Sequence, residues 1–307
     1  MKRRIKDFLK KQLAHVFHMG QRVGVDILPR HFYSEIPVMR KLRATERWRQ
    51  PYSMIGVRGW SAEEQLQFVE TAMNEKVRSA LTRRDVFAEA CAANKATGYG
   101  PIEAEFLYAF VREHRPPQII QVGSGISTFV CLAAAQDAAY EPQITCIDPF
   151  PTNFLVDVEQ AGKIQLVARP VEDLDVEFFE RLSAGDFFFV DSTHTLGPAG
   201  EVTRIILEIL PRLRRGVLIH FHDIWFPYDF DPRIMDRIFF WHETPLLHAF
   251  LCGNDRFQVR ASLSLLHHER EAALRRLFPR YDPMQIERGV RVRHGHYPNS
   301  IYVEAVS

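Results

Sequence analysis

Cysteine is scarce in this 307-residue chain: Cys91, Cys131, Cys146 and Cys252 are its four, and no two stand at CxxC spacing. A disulfide framework and the familiar zinc motifs therefore have no basis in the sequence. Net charge is nearly absent as well, with 39 basic against 38 acidic side chains. No global field points to nucleic acid as a partner. No apolar run reaches the roughly 18 residues of a membrane span. The basic start of the chain is followed by no uninterrupted apolar stretch of the kind a secretory signal needs. The expectation from these absences is a cytoplasmic protein. Its 46% apolar content is enough for a sizeable buried core at this length.

What is present changes along the chain. Residues 2–18 carry Lys2, Arg3, Arg4, Lys6, Lys10 and Lys11, with Ile5, Phe8, Leu9, Val16 and Phe17 at helical spacing. Two readings stay open for this helix: packing on its own domain or a second subunit, or peripheral contact with an anionic membrane surface. Gly24 to Pro51 holds three prolines and the cluster His31-Phe32-Tyr33-Ser34, and reads as an irregular arm. Ser61 with Glu64 three residues on predicts a helix start, and the helix should run to about Leu81.

From Ile102 strand and helix signals alternate. Helices are predicted at about 102–114, 126–138, 174–183, 200–210 and 232–251. Strands are predicted at 118–122, 143–147, 164–167, 187–190, 217–221, 257–265 and 300–306. Such alternation implies βαβ units and a parallel sheet. The expected division is an N-terminal region over 1–98 and an α/β domain over 99–307.

In an open α/β sheet, ligands bind beyond the carboxyl ends of the strands. The first strand is followed by Gly123-Ser124-Gly125-Ile126-Ser127-Thr128. Its glycines permit a tight turn and close approach to a ligand, and Ser127 and Thr128 can cap the next helix. The third glycine of the dinucleotide fingerprint is missing, with Thr128 in its place. The second strand ends on Asp148, 23 residues beyond Gly125, where a carboxylate can accept both hydroxyls of a ribose. Phe150 beside it can stack on an adenine or belong to the core. After the third strand, Glu172 or Asp173 can bond an adenine amino group. The wholly apolar strand Phe187-Phe188-Phe189-Val190 opens onto Asp191-Ser192-Thr193-His194. A histidine at that mouth is suited to general base work. The fifth strand ends His220-Phe221-His222-Asp223. A bend there would bring His222 and Asp223 into the cleft beside Asp191, a set that can hold a divalent metal such as Mg, or act without one. Trp225, Pro227, Tyr228 and Phe230 follow and can wall an acceptor pocket or cover the sheet edge.

These landmarks together resemble the class I S-adenosylmethionine (SAM)-dependent methyltransferases. The resemblance is to a bacterial group with a VGSG-ST loop, a VDS-H motif and an HDI–PYD motif, here VGSGIST (122–128), VDSTH (190–194) and HDIWFPYD (222–229). The stretch GVDILPRHFYSEIP (24–37) resembles an arm that this group often carries. The resemblance implies a Rossmann-like seven-stranded, mostly parallel sheet with an antiparallel last strand and helices on both faces. It implies SAM at Gln121, Gly123, Ser124, Gly125, Ser127 and Thr128, with Asp148 on the ribose and Asp191 facing the cofactor. Strand four is similar in placement to that of metal-dependent O-methyltransferases, which implies Asp191 as a metal ligand and His194 as the base. The second ligand pair would be His222 and Asp223, with a histidine where an acid is usual. Gln121 likewise stands where many relatives carry an acid for the methionine ammonium. His222 is the substitute base. The function expected is methyl transfer to an oxygen or nitrogen of a small polar or glycan-like acceptor, with homodimerisation through the arm a further expectation. The competing readings are a nicotinamide (NAD)-dependent oxidoreductase, and a non-catalytic SAM-fold binding protein.

Overall fold

The structure, a computed structural model, describes residues 2–307, with side chains from Gln12 onward. The chain forms two compact units that part between Trp48 and Arg49. The first holds helix α1 (Lys2–Arg22) and the short α2 (Met39–Ala44), joined by an irregular segment. Within it Leu28, Phe32, Tyr33 and Ile36 are exposed. The expected membrane or subunit contact of residues 2–18 falls largely on side chains outside the described ones. Among the described residues no helix is long and apolar enough to cross a membrane.

The second unit begins with α3 (Ala62–Ala72), α4 (Glu75–Arg83) and α5 (Val86–Asn94). The single helix expected from Ser61 to Leu81 is thus two. Ser61 caps the first, its Oγ accepting from Glu64 N, and Asn74 starts the second by accepting from Val77 N. The compact units part at Trp48, where the sequence suggested a division at residue 98. Leu66, Val69, Val77, Leu81, Val86 and Ala90 are buried in the same core as the sheet, so 49–98 folds with it.

The remaining elements are α6 (Pro101–His114), β1 (Gln118–Val122), α7 (Ile126–Asp137), β2 (Gln143–Ile147), α8 (Asn153–Gln160), β3 (Gln165–Val167), β4 (Phe187–Val190), α9 (Glu201–Arg204), β5 (Leu218–Phe221), α10 (Glu243–Leu251), β6 (Phe257–Ser262), α11 (Leu263–Glu269), α12 (Glu271–Leu277), β7 (Gln285–Glu287), β8 (Val290–Arg293) and β9 (Ile301–Ala305). Seven strands form one sheet in the order β3-β2-β1-β4-β5-β9-β6, while β7 and β8 pair separately. Strand β9 runs antiparallel to both neighbours and the other sheet pairings are parallel. This is the expected Rossmann-like sheet, with its order reversing between β1 and β4.

Strand β4 explains why the sheet holds its place. Phe187 and Phe189 enter the core on one face, Phe188 and Val190 the core on the other. A strand covered on both faces has no use for alternation, hence the unbroken apolar run. Each such side chain is worth roughly 1.5–3 kcal/mol of burial.

Three expected elements come out differently. Residues 174–183 form no helix: Leu174 and Asp175 take extended backbone and separate 3-10 turns at Val171–Asp173 and Val176–Phe178. The helix expected over 232–251 is confined to α10 after a short turn at Ile234–Asp236. The strand expected to run to Leu265 stops at Ser262, whose side chain accepts from Leu265 N and begins α11.

Candidate functional site

The turn after β1 is built for close packing. Gly123 has φ +73, and a Cβ there would lie 2.0 Å from the Asp191 carbonyl oxygen. Glycine is therefore required both by conformation and by space. Gly125, at φ +123, precedes α7, and its N–H donates to Thr128 Oγ1 at 3.2 Å. The first N–H groups of α7 are thereby directed at the cleft, where a helix start favours a carboxylate or other anion.

Gln121 lies beneath this turn, fully buried. Its Nε2 donates to Ser127 Oγ at 3.1 Å, and its Oε1 accepts from Thr128 Oγ1 at 2.7 Å. Both ends of the amide are engaged, so in this structure Gln121 braces the loop rather than facing the cleft. Ser127 is bound into the same brace and caps nothing; Thr128 closes the helix start. Asp148 Oδ2 accepts from Ser124 N and Ser124 Oγ, each at 3.2 Å, and its Oδ1 accepts from Phe150 N at 2.8 Å. That carboxylate ties the end of β2 to the turn after β1. Phe150 is 88% exposed and so no part of the core. Glu172 and Asp173 are both exposed, and nothing separates their candidacies.

At the ends of β4 and β5 a denser cluster forms. Asp223 adopts φ +56 and His194 φ +61, both left-handed conformations that non-glycine residues seldom take. The Asp223 turn supplies the bend that brings it inward together with His222. His222 Nδ1 stands 3.2 Å from Asp191 Oδ1 and 3.8 Å from Asp223 Oδ2. His194 Nε2 stands 3.6 Å from Asp191 Oδ1 and 3.5 Å from Asp223 Oδ2. On its other side, His194 Nδ1 meets Glu243 Oε2 at 2.6 Å. Asp223 Oδ1 accepts from Asn299 Nδ2, and Asn299 N in turn donates to Glu103 Oε1 at 3.0 Å.

The charges of this cluster follow from its neighbours. Burial disfavours the His222 cation, but the carboxylates of Asp223 and Asp191 outweigh it and raise its pKa to about 10. His222 is therefore an imidazolium near neutral pH and has no lone pair to act as the substitute base. Burial likewise works against a charged His194, yet Glu243, Asp223 and Asp191 raise its pKa. Asp191 is pushed up by burial and pulled further down by His222 and His194, so it stays ionised. Burial pushes the Glu103 carboxyl up.

The expected metal ligands Asp191, His222 and Asp223 do meet, but as partners of one another. The His222 ring donates to Asp191, and Asp223 is bonded by Asn299. Among the described residues no group of three histidine, cysteine, aspartate or glutamate side chains is arranged to hold a metal ion. The buried imidazolium of His222 already supplies the positive charge that the carboxylates require. The donors present thus do not fit the expected divalent ion, and no step below runs through one.

Sequence reasoning missed Glu243, Glu103 and Asn299. Glu243 follows Trp241-His242 at the start of α10, and Glu103 sits in α6, a helix buried on nearly all sides. An acid in an otherwise apolar helix was the available signal. Trp225, expected in an acceptor wall or at the sheet edge, is buried, with its ring 6.5 Å from Trp241 and 6.1 Å from Tyr297.

Residues 120–224 match the family described as "Methyltransferase domain". The matched span begins in β1 and ends one residue after Asp223, so it contains the glycine turn, Asp148, Asp191, His194 and His222. An uncharacterized protein of Archaeoglobus fulgidus is 27% identical over 171 residues, covering 53% of this chain and 77% of its own. Two solved structures are similar in fold alone. The S-adenosylhomocysteine (SAH)-bound methyltransferase of Podospora anserina is 14% identical at TM-score 0.38, over 76% of this chain and 97% of its own. The Burkholderia thailandensis 1,6-didemethyltoxoflavin-N1-methyltransferase is 16% identical at TM-score 0.38, over 76% and 87%.

Proposed function

We propose that this chain, a SAM-dependent methyltransferase by its domain, moves the methyl group to an oxygen or nitrogen of a small polar or glycan-like acceptor, with His194 as general base. The observation that carries the reading is the convergence of Asp191, His194, His222 and Asp223 at the strand ends within the methyltransferase span. Its fit to SAM rests on the turn at Gly123–Thr128, the free helix start above it, and the Asp148 carboxylate beside an exposed Phe150.

SAM supplies an electrophilic methyl on a sulfonium. The chain's part is alignment and proton removal. Asp148 would hold the ribose hydroxyls as their acceptor. Asp191 and Asp223 are acceptors only, so they can orient O–H or N–H donors on the acceptor. His194 Nε2, hydrogen-bonded to neither carboxylate, would take the proton from the acceptor as SAM, when bound, supplies the methyl group.

Calorimetric titration with SAM and SAH tests the cofactor half of this reading. Micromolar binding of both is expected, with none for NAD(H) and no change after exhaustive chelation. Asp148→Ala is expected to weaken SAH at least 10-fold, the loss of one or more charge-assisted hydrogen bonds worth roughly 1.5–3 kcal/mol. Binding of NAD(H) in place of SAH would overturn it.

A further inference from the structure

We infer that Glu243 is a positioning residue for His194, fixing its tautomer and aiming its Nε2 into the cleft. The inference rests on the reading of His194 as base. Glu243 lies beyond the methyltransferase span, on α10, and is almost fully buried. One of its oxygens, Oε2, is 2.6 Å from His194 Nδ1. A carboxylate only accepts, so the proton of that bond is carried by Nδ1 and Nε2 is left to exchange a proton with the acceptor. The other oxygen, Oε1, accepts from Ser192 Oγ at 3.0 Å. Ser192 Oγ in turn accepts from His194 N at 3.3 Å.

One side chain therefore holds both the ring and the backbone of His194. The hold extends along the chain: His242 N donates to the His194 carbonyl at 3.2 Å, and the His194 ring lies 4.6 Å from Trp241. On the far side, Thr193 N donates to Glu201 Oε2 at 2.8 Å. Two buried or half-buried carboxylates thus clamp a three-residue loop whose His194 would otherwise relax from its left-handed conformation.

The test is nuclear magnetic resonance of the full chain labelled with nitrogen-15 histidine, saturated with SAH. Wild type is expected to show a downfield, slowly exchanging Nδ1 proton, assigned to His194 by its disappearance in His194→Gln. Glu243→Gln, which keeps size but removes the charge, is expected to lose that resonance and populate the other tautomer. Ser192→Ala, which leaves the charge in place, is expected to keep the tautomer but speed exchange of the proton. It serves as the second variant if Glu243→Gln does not fold. An unchanged His194 resonance in Glu243→Gln, or in Ser192→Ala an exchange rate equal to wild type, would overturn the inference. Absence of SAH binding by wild type would instead strike the cofactor reading, and full activity of His194→Gln would strike the base.

Discussion

His194→Gln is expected to lower turnover by roughly 10²–10⁴-fold while SAH binds as tightly as in wild type, the usual range for loss of a general base. The ring is buried, and its two nitrogens differ in what they meet. Its Nε2 lies 3.5–3.6 Å from two carboxylates without a hydrogen bond to either. Its Nδ1 is anchored on Glu243. His222 cannot take over, because the carboxylates around it raise its pKa to about 10 and keep it protonated. The change touches neither the glycine turn nor Asp148, so cofactor affinity is the internal control. Initial rates of methyl transfer from radiolabelled SAM to a set of monosaccharides and phenols measure the effect. Turnover within fivefold of wild type would remove His194 from the reaction and leave Asp191 as the candidate base.

The cofactor half of the site was legible in the sequence because it is local. A glycine turn is written in consecutive residues, and Asp148 stands at a fixed interval after it. Strand β4 was legible for a related reason: burial on both faces leaves a continuous apolar run. The parallel sheet followed from alternation, and its seven strands and antiparallel last strand from the resemblance, while the strand order came only with the structure. The supporting residues were not legible, since their roles depend on contacts over long separations. Glu243 meets His194 across 49 positions, and Asn299 meets Asp223 across 76. Gln121 is a different case, its partners lying only six and seven positions on. Its position in β1 matched the resemblance, but side chains on the following turn were close enough to claim both ends of its amide. The metal set misled because the same acid and imidazole types serve equally for ion pairs. Only the distances, with His222 bonded directly to Asp191, separate the two.

His222 makes the stability of the fold depend on pH in a direction its charge fixes. Its folded pKa is about 10 against an ordinary 6.5. A group raised on folding contributes fully below its unfolded pKa, so the contribution is complete below about pH 6.5 and fades as pH climbs through about 10. Each pKa unit corresponds to about 1.4 kcal/mol, so wild type is expected to lose on the order of 3–4 kcal/mol between pH 7 and 10 from this group. Asp191 acts at the other end: its depressed pKa adds stability in neutral solution that is lost as pH falls through the folded value. Urea unfolding at pH 7, 8.5 and 10 separates His222 from other groups when wild type is compared with His222→Gln. The variant is expected to be the weaker protein at pH 7, because Asp191 and Asp223 lose the cation between them, and breaking one side of a buried pair costs about 3–5 kcal/mol. By pH 10 the two should nearly converge, since folded His222 is by then about half deprotonated and most of its contribution is gone. Tyrosines whose burial raises their pKa add a pH dependence near pH 10, where they ionise only once unfolded, but they are common to both proteins and cancel in the difference. Parallel pH curves for the two proteins would mean that His222 is neutral when folded. The proton between it and Asp191 would then have to be sought on the carboxyl, and the case for His194 as the sole base would fall with it.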